Sequence, residues 1–90
     1  MTKIMIVDDE IMAVKTLTVM VSKYIDGDKE IKGESDYFTA IKTIKTFDPD
    51  VLILDVMMTP YSGFDLLAHL DNKDFSIIFA TGCNLLCRFV

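Results

Sequence analysis

The stretch Val51–Asp55 (VLILD) decides the fold, because four aliphatic residues in a row lead there to a single carboxylate. Turn-forming residues bound the stretch on both sides, namely Asp48, Pro49 and Asp50 before it and Pro60, Ser62 and Gly63 after it. A short aliphatic run between turns predicts a strand buried on both faces, as in a parallel sheet. Sites in open parallel sheets form at the carboxyl ends of strands, so Asp55 is the first candidate for function.

Working outward, three more strands are predicted at residues 3–7, 30–35 and 75–80, and helices at 11–25, 37–47 and 64–70. The strand at 30–35 is polar, which is typical of a sheet edge. Strands that alternate with helices predict an α/β fold with a parallel sheet and right-handed crossovers. No linker, repeat or low-complexity tract interrupts the pattern, so residues 1–90 are expected to form a single domain.

Helical spacing predicts which apolar side chains face the sheet. The expected buried stripes are Ile11, Val14, Leu17, Val21 and Tyr24 or Ile25 on the first helix, Phe38, Ile41, Ile44 and Phe47 on the second, and Leu66, Leu67 and Leu70 on the third. Gly27 is expected to stop the first helix, and Ser35 or Asp36 to cap the second. Phe75 and Phe79 are expected in the core, and His69 is expected to face solvent.

Charge and hydropathy exclude several classes of function. Acidic residues outnumber Lys and Arg by 14 to 9, and the net charge of -5 argues against direct nucleic-acid binding by this domain. No apolar run approaches the roughly 20 residues of a membrane span, and the first residues do not resemble a signal peptide. We therefore expect a cytoplasmic protein with no membrane partner.

Cys83 and Cys87 lie four residues apart near the end of the chain. A zinc site would need further ligands, and the only histidine, His69, lies in another predicted element. The two cysteines are therefore interpreted as ordinary thiols, with an intermolecular disulfide under oxidising conditions as the alternative.

The strand at residues 3–7 also ends in carboxylates, at Asp8 and Asp9. If it neighbours Val51–Asp55, then Asp8, Asp9 and Asp55 converge in one crevice, where three carboxylates would repel one another unless a cation lay among them. A hard divalent ion such as Mg²⁺ suits such oxygen ligands. The alternative is that the acidic residues only cap the helix that follows, but the coincidence with Asp55 favours a metal site.

These residues resemble the receiver domain of two-component response regulators. Three motifs occur in the order and spacing of that family: IMIVDDE at 4–10, DVMM at 55–58 with Gly63 eight residues after Asp55, and IIFAT at 77–81. The resemblance covers nearly the whole chain. It implies a flavodoxin-like open parallel sheet with strand order 2-1-3-4 and a signalling function.

By resemblance, Asp55 is the phosphoacceptor and receives a phosphoryl group from a sensor histidine kinase or a phosphotransfer protein. Asp9 would hold Mg²⁺ directly and Asp8 largely through water, with Asp55 and the backbone carbonyl of Met57 as further ligands. Thr81 would be the switch hydroxyl that bonds the phosphoryl oxygens. Any catalysis would be Mg²⁺-dependent self-phosphorylation or dephosphorylation at most, not metabolic chemistry.

The sequence departs from the family pattern in two places. Thr59 stands where the family usually has proline, and Pro60 comes one residue later. The chain also ends at Val90, before the fourth helix of the family is complete and before its fifth strand and fifth helix. The phosphate-binding lysine of the family follows that fifth strand, whereas Lys3 and Lys73 lie near predicted strand starts. We therefore expect metal binding to persist and phosphorylation to be weak or lost.

A missing fifth strand would leave the fourth strand with an open edge, and a missing fifth helix would leave one sheet face half covered. Such surfaces favour association between chains. We therefore expect self-association, such as a dimer, through edge pairing or a swapped element that includes the apolar tail at 85–90.

Other classes of protein fit the motifs less well. A phosphatase of the haloacid dehalogenase kind needs a second Asp two residues after the nucleophile, but Met57 is there. A flavodoxin-like FMN binder needs a phosphate loop after the first strand, where Asp8, Asp9 and Glu10 would repel phosphate. A degenerate receiver or receiver fragment that only makes protein contacts remains the alternative to a phosphoacceptor.

Overall fold

The computed structural model describes the backbone of residues 1–58, 61–70, 75–81 and 84–89, and the side chains of residues 1–56, 61–70 and 75–80. In chain order its elements are β1 (Thr2–Val7), α1 (Ile11–Tyr24), β2 (Lys29–Glu34), α2 (Tyr37–Phe47), β3 (Val51–Asp55), β4 (Met57–Met58), β5 (Tyr61–Ser62), α3 (Gly63–Ala68), β6 (Ser76–Thr81) and β7 (Asn84–Phe89). The predicted polar break at 71–74 lies outside the described residues.

The main sheet has the strand order β2-β1-β3-β6-β7. The first four strands are parallel and confirm the predicted order 2-1-3-4, with β6 as the fourth predicted strand. The polar strand β2 lies at one edge, as its composition predicted. The sheet is therefore an open α/β sheet of the expected topology.

Hydrogen bonds around Asp50 align the starts of three strands. The Asp50 backbone N–H donates to the Lys3 carbonyl at 2.8 Å, and the Lys3 N–H donates to the Asp50 carboxylate at 2.8 Å. The Asp50 carbonyl accepts the N–H of Ser76 at 3.0 Å. These bonds fix the register of β1, β3 and β6 at the end of the sheet opposite their carboxyl termini.

Side chains alternate along each strand and divide the core into two layers. Ile4, Ile6, Ile53 and Ala80 face α1, where they meet Val14, Leu17 and Val21. The opposite layer contains Met5, Val7, Leu52, Leu54, Phe75 and Phe79 from the strands and their flanks, and Tyr37, Ala40, Ile44, Phe47, Leu66 and Leu70 from the helical side. The expected core positions of Phe75 and Phe79 are confirmed.

The predicted stripe of α2 was partly wrong, because Tyr37 is buried and Phe38 is 56% exposed. Asp36 caps the helix by accepting the N–H of Thr39 at 2.9 Å, so α2 begins at Tyr37 and turns that ring inward. The small Ala40 on the same face allows the helix to lie close to the sheet. The predicted buried stripe of α1 was also partly wrong, because Ile11, Tyr24 and Ile25 are exposed and lie outside the core.

Helix α1 ends at Tyr24 with Ile25 as an extended C-cap, so the prediction that Gly27 stops the helix was wrong in position. Gly27 lies beyond the cap and has the expected positive φ, of 90°. His69 is exposed at the C-terminus of α3, as predicted, while Leu67 is only partly buried. Among the described residues, no helix has the length and hydropathy that crossing a membrane requires.

The edge of the fourth predicted strand is covered within the chain, so the expected open edge was wrong. The tail forms β7, which pairs antiparallel with β6 and shifts register between Phe79 and Ala80. The backbone groups of β6 that were expected to pair with another chain are thus occupied. An apolar groove does remain on the α1 side, lined by residues that include Leu17, Tyr24, Ile53 and Ile78.

A short hairpin that the sequence did not predict follows β3, and each of its two strands is two residues long. Strands β4 and β5 pair antiparallel, with Met57 opposite Ser62 and Met58 opposite Tyr61. Thr59 and Pro60, where the sequence departs from the family pattern, lie outside the described residues. The hairpin returns the chain to Gly63, the first residue of α3.

Gly63 permits the close approach between α3 and the end of β3. A Cβ atom at this position would lie 2.5 Å from the backbone carbonyl oxygen of Asp55 and 3.1 Å from Leu54. A backbone oxygen cannot move aside as the end of a flexible side chain can. Only glycine therefore fits where the loop after Asp55 returns to the sheet.

We predict that Gly63→Ala destabilises the protein by about 1–3 kcal/mol, the usual cost of overpacking. Helix propensity alone would stabilise the variant by about 1 kcal/mol. The steric contact should dominate because its partner is backbone. Urea unfolding followed by circular dichroism measures the difference.

A control for this prediction is Gly27→Asn, since no atom lies within 4 Å of the Cβ position at Gly27. Asn tolerates positive φ better than other side chains but is still strained at φ 90°, so this variant should lose less stability than Gly63→Ala. If Gly63→Ala unfolds at the same or a higher urea concentration than the parent chain, the steric account of Gly63 is wrong.

Candidate functional site

Strand register brings Asp8 beside Asp55. Val7 of β1 lies opposite Leu54 of β3, so the next residue on each strand is a carboxylate. Asp55 in turn lies opposite Ala80 of β6, the residue that precedes Thr81. Parallel strands end at the same edge of the sheet, and the candidate residues therefore meet there.

The three predicted carboxylates form one cluster. One carboxylate oxygen from each of Asp8, Asp9 and Asp55 lies within 4.8 Å of the other two. Asp8 and Asp55 are 3% and 8% exposed, whereas Asp9 is open to solvent. The cluster is thus buried on the protein side and reached from water at Asp9.

Burial first, and then the negative charges of Asp55 and Asp9 and a hydrogen bond with Asp9, together raise the pKa of Asp8 from 3.8 to about 6. The N–H of Glu10, which donates to Asp8 Oδ1 at 3.0 Å, acts in the opposite direction. Desolvation and like charge therefore outweigh the one bond that favours the ionised form. The cluster is a place where a positive ion would be strongly favoured.

The donor set fits a hard divalent cation. All three side chains offer carboxylate oxygens, the ligands that Mg²⁺ prefers, and two of them are held by adjacent strands. An ordinary helix cap would not need Asp55 or a buried Asp8. Glu10 is the N-cap residue of α1, yet its side chain forms no capping hydrogen bond.

Two further predicted site residues are described by their backbone. Met57 lies in β4, two residues after Asp55, and pairs with Ser62. Thr81 is the last residue of β6 and pairs with Asn84 of β7. The main chain between them is anchored by the Val56 N–H, which donates to the Ala80 carbonyl at 3.3 Å, and by the Gly63 N–H, which donates to the Val56 carbonyl at 2.9 Å.

The sequence analysis predicted that neither Lys3 nor Lys73 replaces the phosphate-binding lysine of the family. In the structure, Lys3 lies at the end of the sheet opposite the acidic cluster. The Lys3 ammonium group donates to the Phe47 carbonyl at 3.3 Å and lies over the Phe47 ring. Lys73 and residues 82–83, which include Cys83, lie outside the described residues, and the side chain of Cys87 does as well.

Sequence reasoning did not find the structural role of Gly63. Its spacing from Asp55 was noted, but the spacing does not reveal the close contact with the Asp55 carbonyl oxygen. The available signal was a glycine at the start of a helix, where alanine would have higher helix propensity.

Comparison with known proteins identifies the family. The family profile described as "Response regulator receiver domain" matches residues 4–85. The match covers most of the chain, including both acidic strand ends. The chain therefore belongs to the response regulator receiver domain family.

Curated relatives include full-length response regulators. The transcriptional regulatory protein BtsR of Escherichia coli (strain K12) is 39% identical over 72 residues, which cover 79% of this chain and 29% of that protein. A protein-glutamate methylesterase/protein-glutamine glutaminase of Oleidesulfovibrio alaskensis is 41% identical over 66 residues, covering 72% of this chain and 18% of that protein. The chain thus spans less than a third of the length of these relatives.

Solved structures support the fold. The N-terminal domain of a response regulator receiver protein from Methanoculleus marisnigri JR1 superposes with a TM-score of 0.71 at 22% identity, covering 86% of this chain and 63% of that chain. The signal receiver domain of a Luxo repressor protein from Vibrio parahaemolyticus gives 0.69 at 25% identity, covering 89% and 61%. The flavodoxin-like receiver fold predicted from the resemblance is confirmed.

The raised pKa of Asp8 predicts how stability depends on pH when no metal is bound. A group with a higher pKa in the folded state binds its proton more tightly there, so folding gains stability as pH falls. For Asp8 this contribution is complete below pH 3.8 and lost as pH rises through about 6. Asp36, whose pKa is lowered by its bonds to Thr39, contributes stability that is present above pH 3.8 and is lost as pH falls below that value.

We therefore predict that Asp8→Asn stabilises the metal-free protein by about 1–3 kcal/mol at pH 7.5. The gain should disappear near pH 3, below both the ordinary pKa of 3.8 and the raised pKa of about 6, where Asp8 is protonated in both states. Urea unfolding in the presence of EDTA at both pH values measures it. Asp28→Asn, outside the cluster, serves as the control, and an Asp8→Asn variant less stable than the parent at pH 7.5 would contradict the electrostatic account.

Proposed function

We propose that the chain is a phosphoacceptor receiver domain in which Asp55 accepts a phosphoryl group in the cytoplasm from a sensor histidine kinase or a phosphotransfer protein. The observation that supports this proposal is the buried acidic cluster at the carboxyl ends of β1 and β3. Membership of the receiver family supports the same reaction. The phosphoryl donor is part of the proposal, whereas the output of the whole protein is not.

The proposed step is a displacement at phosphorus. A carboxylate oxygen of Asp55 attacks the phosphoryl group of a phosphohistidine, the P–N bond breaks, and its electron pair remains on the imidazole nitrogen of the donor. An acyl phosphate forms on Asp55, and later attack by water would return the carboxylate and inorganic phosphate. The oxygen that attacks belongs to a side chain that the backbone holds at a strand end, so it is well oriented before the donor arrives.

Electrostatics determines what the site needs for this step. An ionised carboxylate and a phosphoryl group repel each other, and Asp8 and Asp9 add further negative charge. When bound, Mg²⁺ would neutralise the phosphoryl oxygens and align them with the nucleophile. Asp8, Asp9, Asp55 and the backbone carbonyl of Met57 would hold the ion, since they provide oxygen ligands at one edge of the sheet.

Thr81 is the proposed switch residue. It follows Ala80, which lies opposite Asp55 in the sheet, so its backbone is placed one residue beyond the phosphoacceptor. A hydroxyl at this position would donate to an oxygen of the phosphoryl group. Movement of Thr81 would then signal the phosphorylated state to a partner surface.

The identity of the output remains open in the proposal because relatives differ in it. BtsR is called a transcriptional regulatory protein, and another relative is a protein-glutamate methylesterase. The receiver portion is shared while the remaining portions differ. The sequence-based expectation that this domain itself does not bind nucleic acid is consistent with a role as an input module.

We predict that incubation with Mg²⁺ and acetyl phosphate adds a phosphoryl group to a minor fraction of the chain, in line with the weak phosphorylation expected from the sequence, and that Asp55→Asn abolishes the addition. Intact mass spectrometry counts the adducts, and peptide mapping after reduction with borohydride locates the acyl phosphate. The control is Asp48→Asn, at the other end of β3, where Asn tolerates the left-handed backbone (φ 54°).

The absence of any adduct on the parent chain would contradict the phosphoacceptor proposal. In that case the chain would be the alternative, a degenerate receiver or receiver fragment that makes protein contacts without productive phosphorylation. An adduct that survives Asp55→Asn would contradict the assignment of the nucleophile.

We also predict that Mg²⁺ stabilises the parent chain and that EDTA reverses the effect. An ion that binds only the folded state adds about 2.7 kcal/mol at one hundred times its Kd. Asp9→Asn should weaken binding on the order of tenfold or more, a loss seen even for outer-shell groups. Thermal unfolding over a Mg²⁺ titration measures the affinity.

The matched control for Mg²⁺ binding is Glu10→Gln, which removes the same charge from the adjacent exposed residue. If Glu10→Gln and Asp9→Asn weaken binding equally, the ion responds to the net charge of the region and not to ligation by Asp9.

A further inference from the structure

Four aromatic side chains form a patch on the side of the sheet that carries α2 and α3. Tyr37 and Tyr61 stack with ring centroids 4.1 Å apart and an interplanar angle of 16°. Phe38 meets both rings edge to face, at 5.1 and 5.5 Å, and His69 meets Tyr37 at 6.1 Å. We call these four residues the aromatic patch.

Much of the aromatic patch is open to solvent. Phe38 is 56% exposed and Tyr61 37% exposed, and His69 is exposed as well. Tyr37 lies beneath them, only 8% exposed. Because the exposed rings pack on a buried tyrosine, they form a contiguous aromatic surface. Single scattered apolar residues are, by contrast, normal on a protein surface.

The hydroxyl of Tyr37 is buried and has no hydrogen-bond partner among the described residues. Burial raises the pKa of Tyr37, and the charge of Asp65 and then Tyr61 add to the effect, so both groups lie near the hydroxyl. Buried hydroxyls nearly always have a partner, and each exception calls for an explanation. The nearby charge places the Asp65 carboxylate beside the patch, whereas the covered hydroxyl itself is out of reach of a partner.

Asp65 contributes a carboxylate beside the patch. Its Oδ2 accepts the N–H of Ser62 at 2.9 Å and the Ser62 hydroxyl at 3.1 Å in a capping box. Its Oδ1 has no partner in the part of the chain with described side chains. One oxygen of this exposed carboxylate thus remains available to a donor.

None of the described lysines forms a cation–π contact with a ring of the aromatic patch. Lys3 and Lys32 lie over the ring of Phe47 and Lys23 over that of Tyr24, and these contacts do not include the patch. Exposed aromatic faces and an available carboxylate oxygen both attract the same kind of group, a planar cation with several N–H donors. Arginine has that form, whereas lysine presents a compact and strongly hydrated charge.

We propose that the aromatic patch with Asp65 is a docking surface for an arginine side chain on a partner protein. The guanidinium group would stack on the exposed rings and donate to Asp65 Oδ1. The net charge of -5 favours the approach of such a partner. This surface is separate from the Asp8, Asp9 and Asp55 cluster, and the proposal does not depend on phosphorylation.

The test uses the chain with isotope-labelled tyrosines and three peptides, acetyl-Gly-Arg-Gly-amide and its lysine and citrulline analogues. The chain has three tyrosines, and Tyr24, which is 72% exposed and outside the patch, is an internal control. We expect the arginine peptide to shift the NMR signals of Tyr37 and Tyr61 but not those of Tyr24. The response should be about threefold to tenfold stronger than with citrulline, and lysine should fall between them.

Two matched phenylalanines test the location. Phe38→Ala should weaken the response to the arginine peptide by about threefold or more. Phe64→Ala should not change it, because Phe64 is equally exposed at 59% but packs against Phe79 instead of the patch. Equal responses to arginine and citrulline, a comparable shift at Tyr24, no shift at Tyr37 and Tyr61, or equal effects of the two variants would each overturn the proposal.

Discussion

The register between β1 and β3 is the constraint on which the rest of the structure depends. It is fixed at the start of both strands by the paired hydrogen bonds of Lys3 and Asp50, and it emerges at their other end as Asp8 beside Asp55. A shift by one residue would turn each strand's buried side chains to the opposite layer, since side chains alternate. Packing of Ile4, Ile6 and Ile53 against α1 therefore also positions the carboxylates.

This arrangement has an energetic cost that packing must offset. Two buried carboxylates at adjacent strand ends repel, and the raised pKa of Asp8 records the repulsion together with desolvation. Stable folding alone would favour neutral residues there. Clustered charges that destabilise the fold and lie at an accessible edge are typical of sites that bind an ion or perform chemistry. Such sites keep ionisable groups that a protein without this function would replace with neutral ones.

Much of the fold and the whole acidic cluster could be predicted from the sequence, for physical reasons. Aliphatic runs that end in Asp identify buried parallel strands, and parallel strands must end together, so Asp8, Asp9 and Asp55 followed from pattern alone. The orientation of α2 did not, because Tyr37 and Phe38 both fit helical spacing and only packing of Ala40 against the sheet decides between them. The pairing of β7 with β6 was missed because an apolar tail does not encode its partner strand.

The segment that follows Asp55 connects the acidic cluster to the aromatic patch through few residues. Val56 is bound to Ala80 and to Gly63 by backbone hydrogen bonds, and Gly63 begins a helix whose cap is formed by Ser62 and Asp65. Tyr61, immediately before that cap, stacks on Tyr37 of α2. The hydrogen bonds that hold the main chain at Asp55 thus also set the position of the Tyr61 ring. Gly63 lies close against the Asp55 carbonyl oxygen. Because of this close approach, displacement of Asp55 would strain the start of α3, and displacement of α3 would strain the backbone at Asp55.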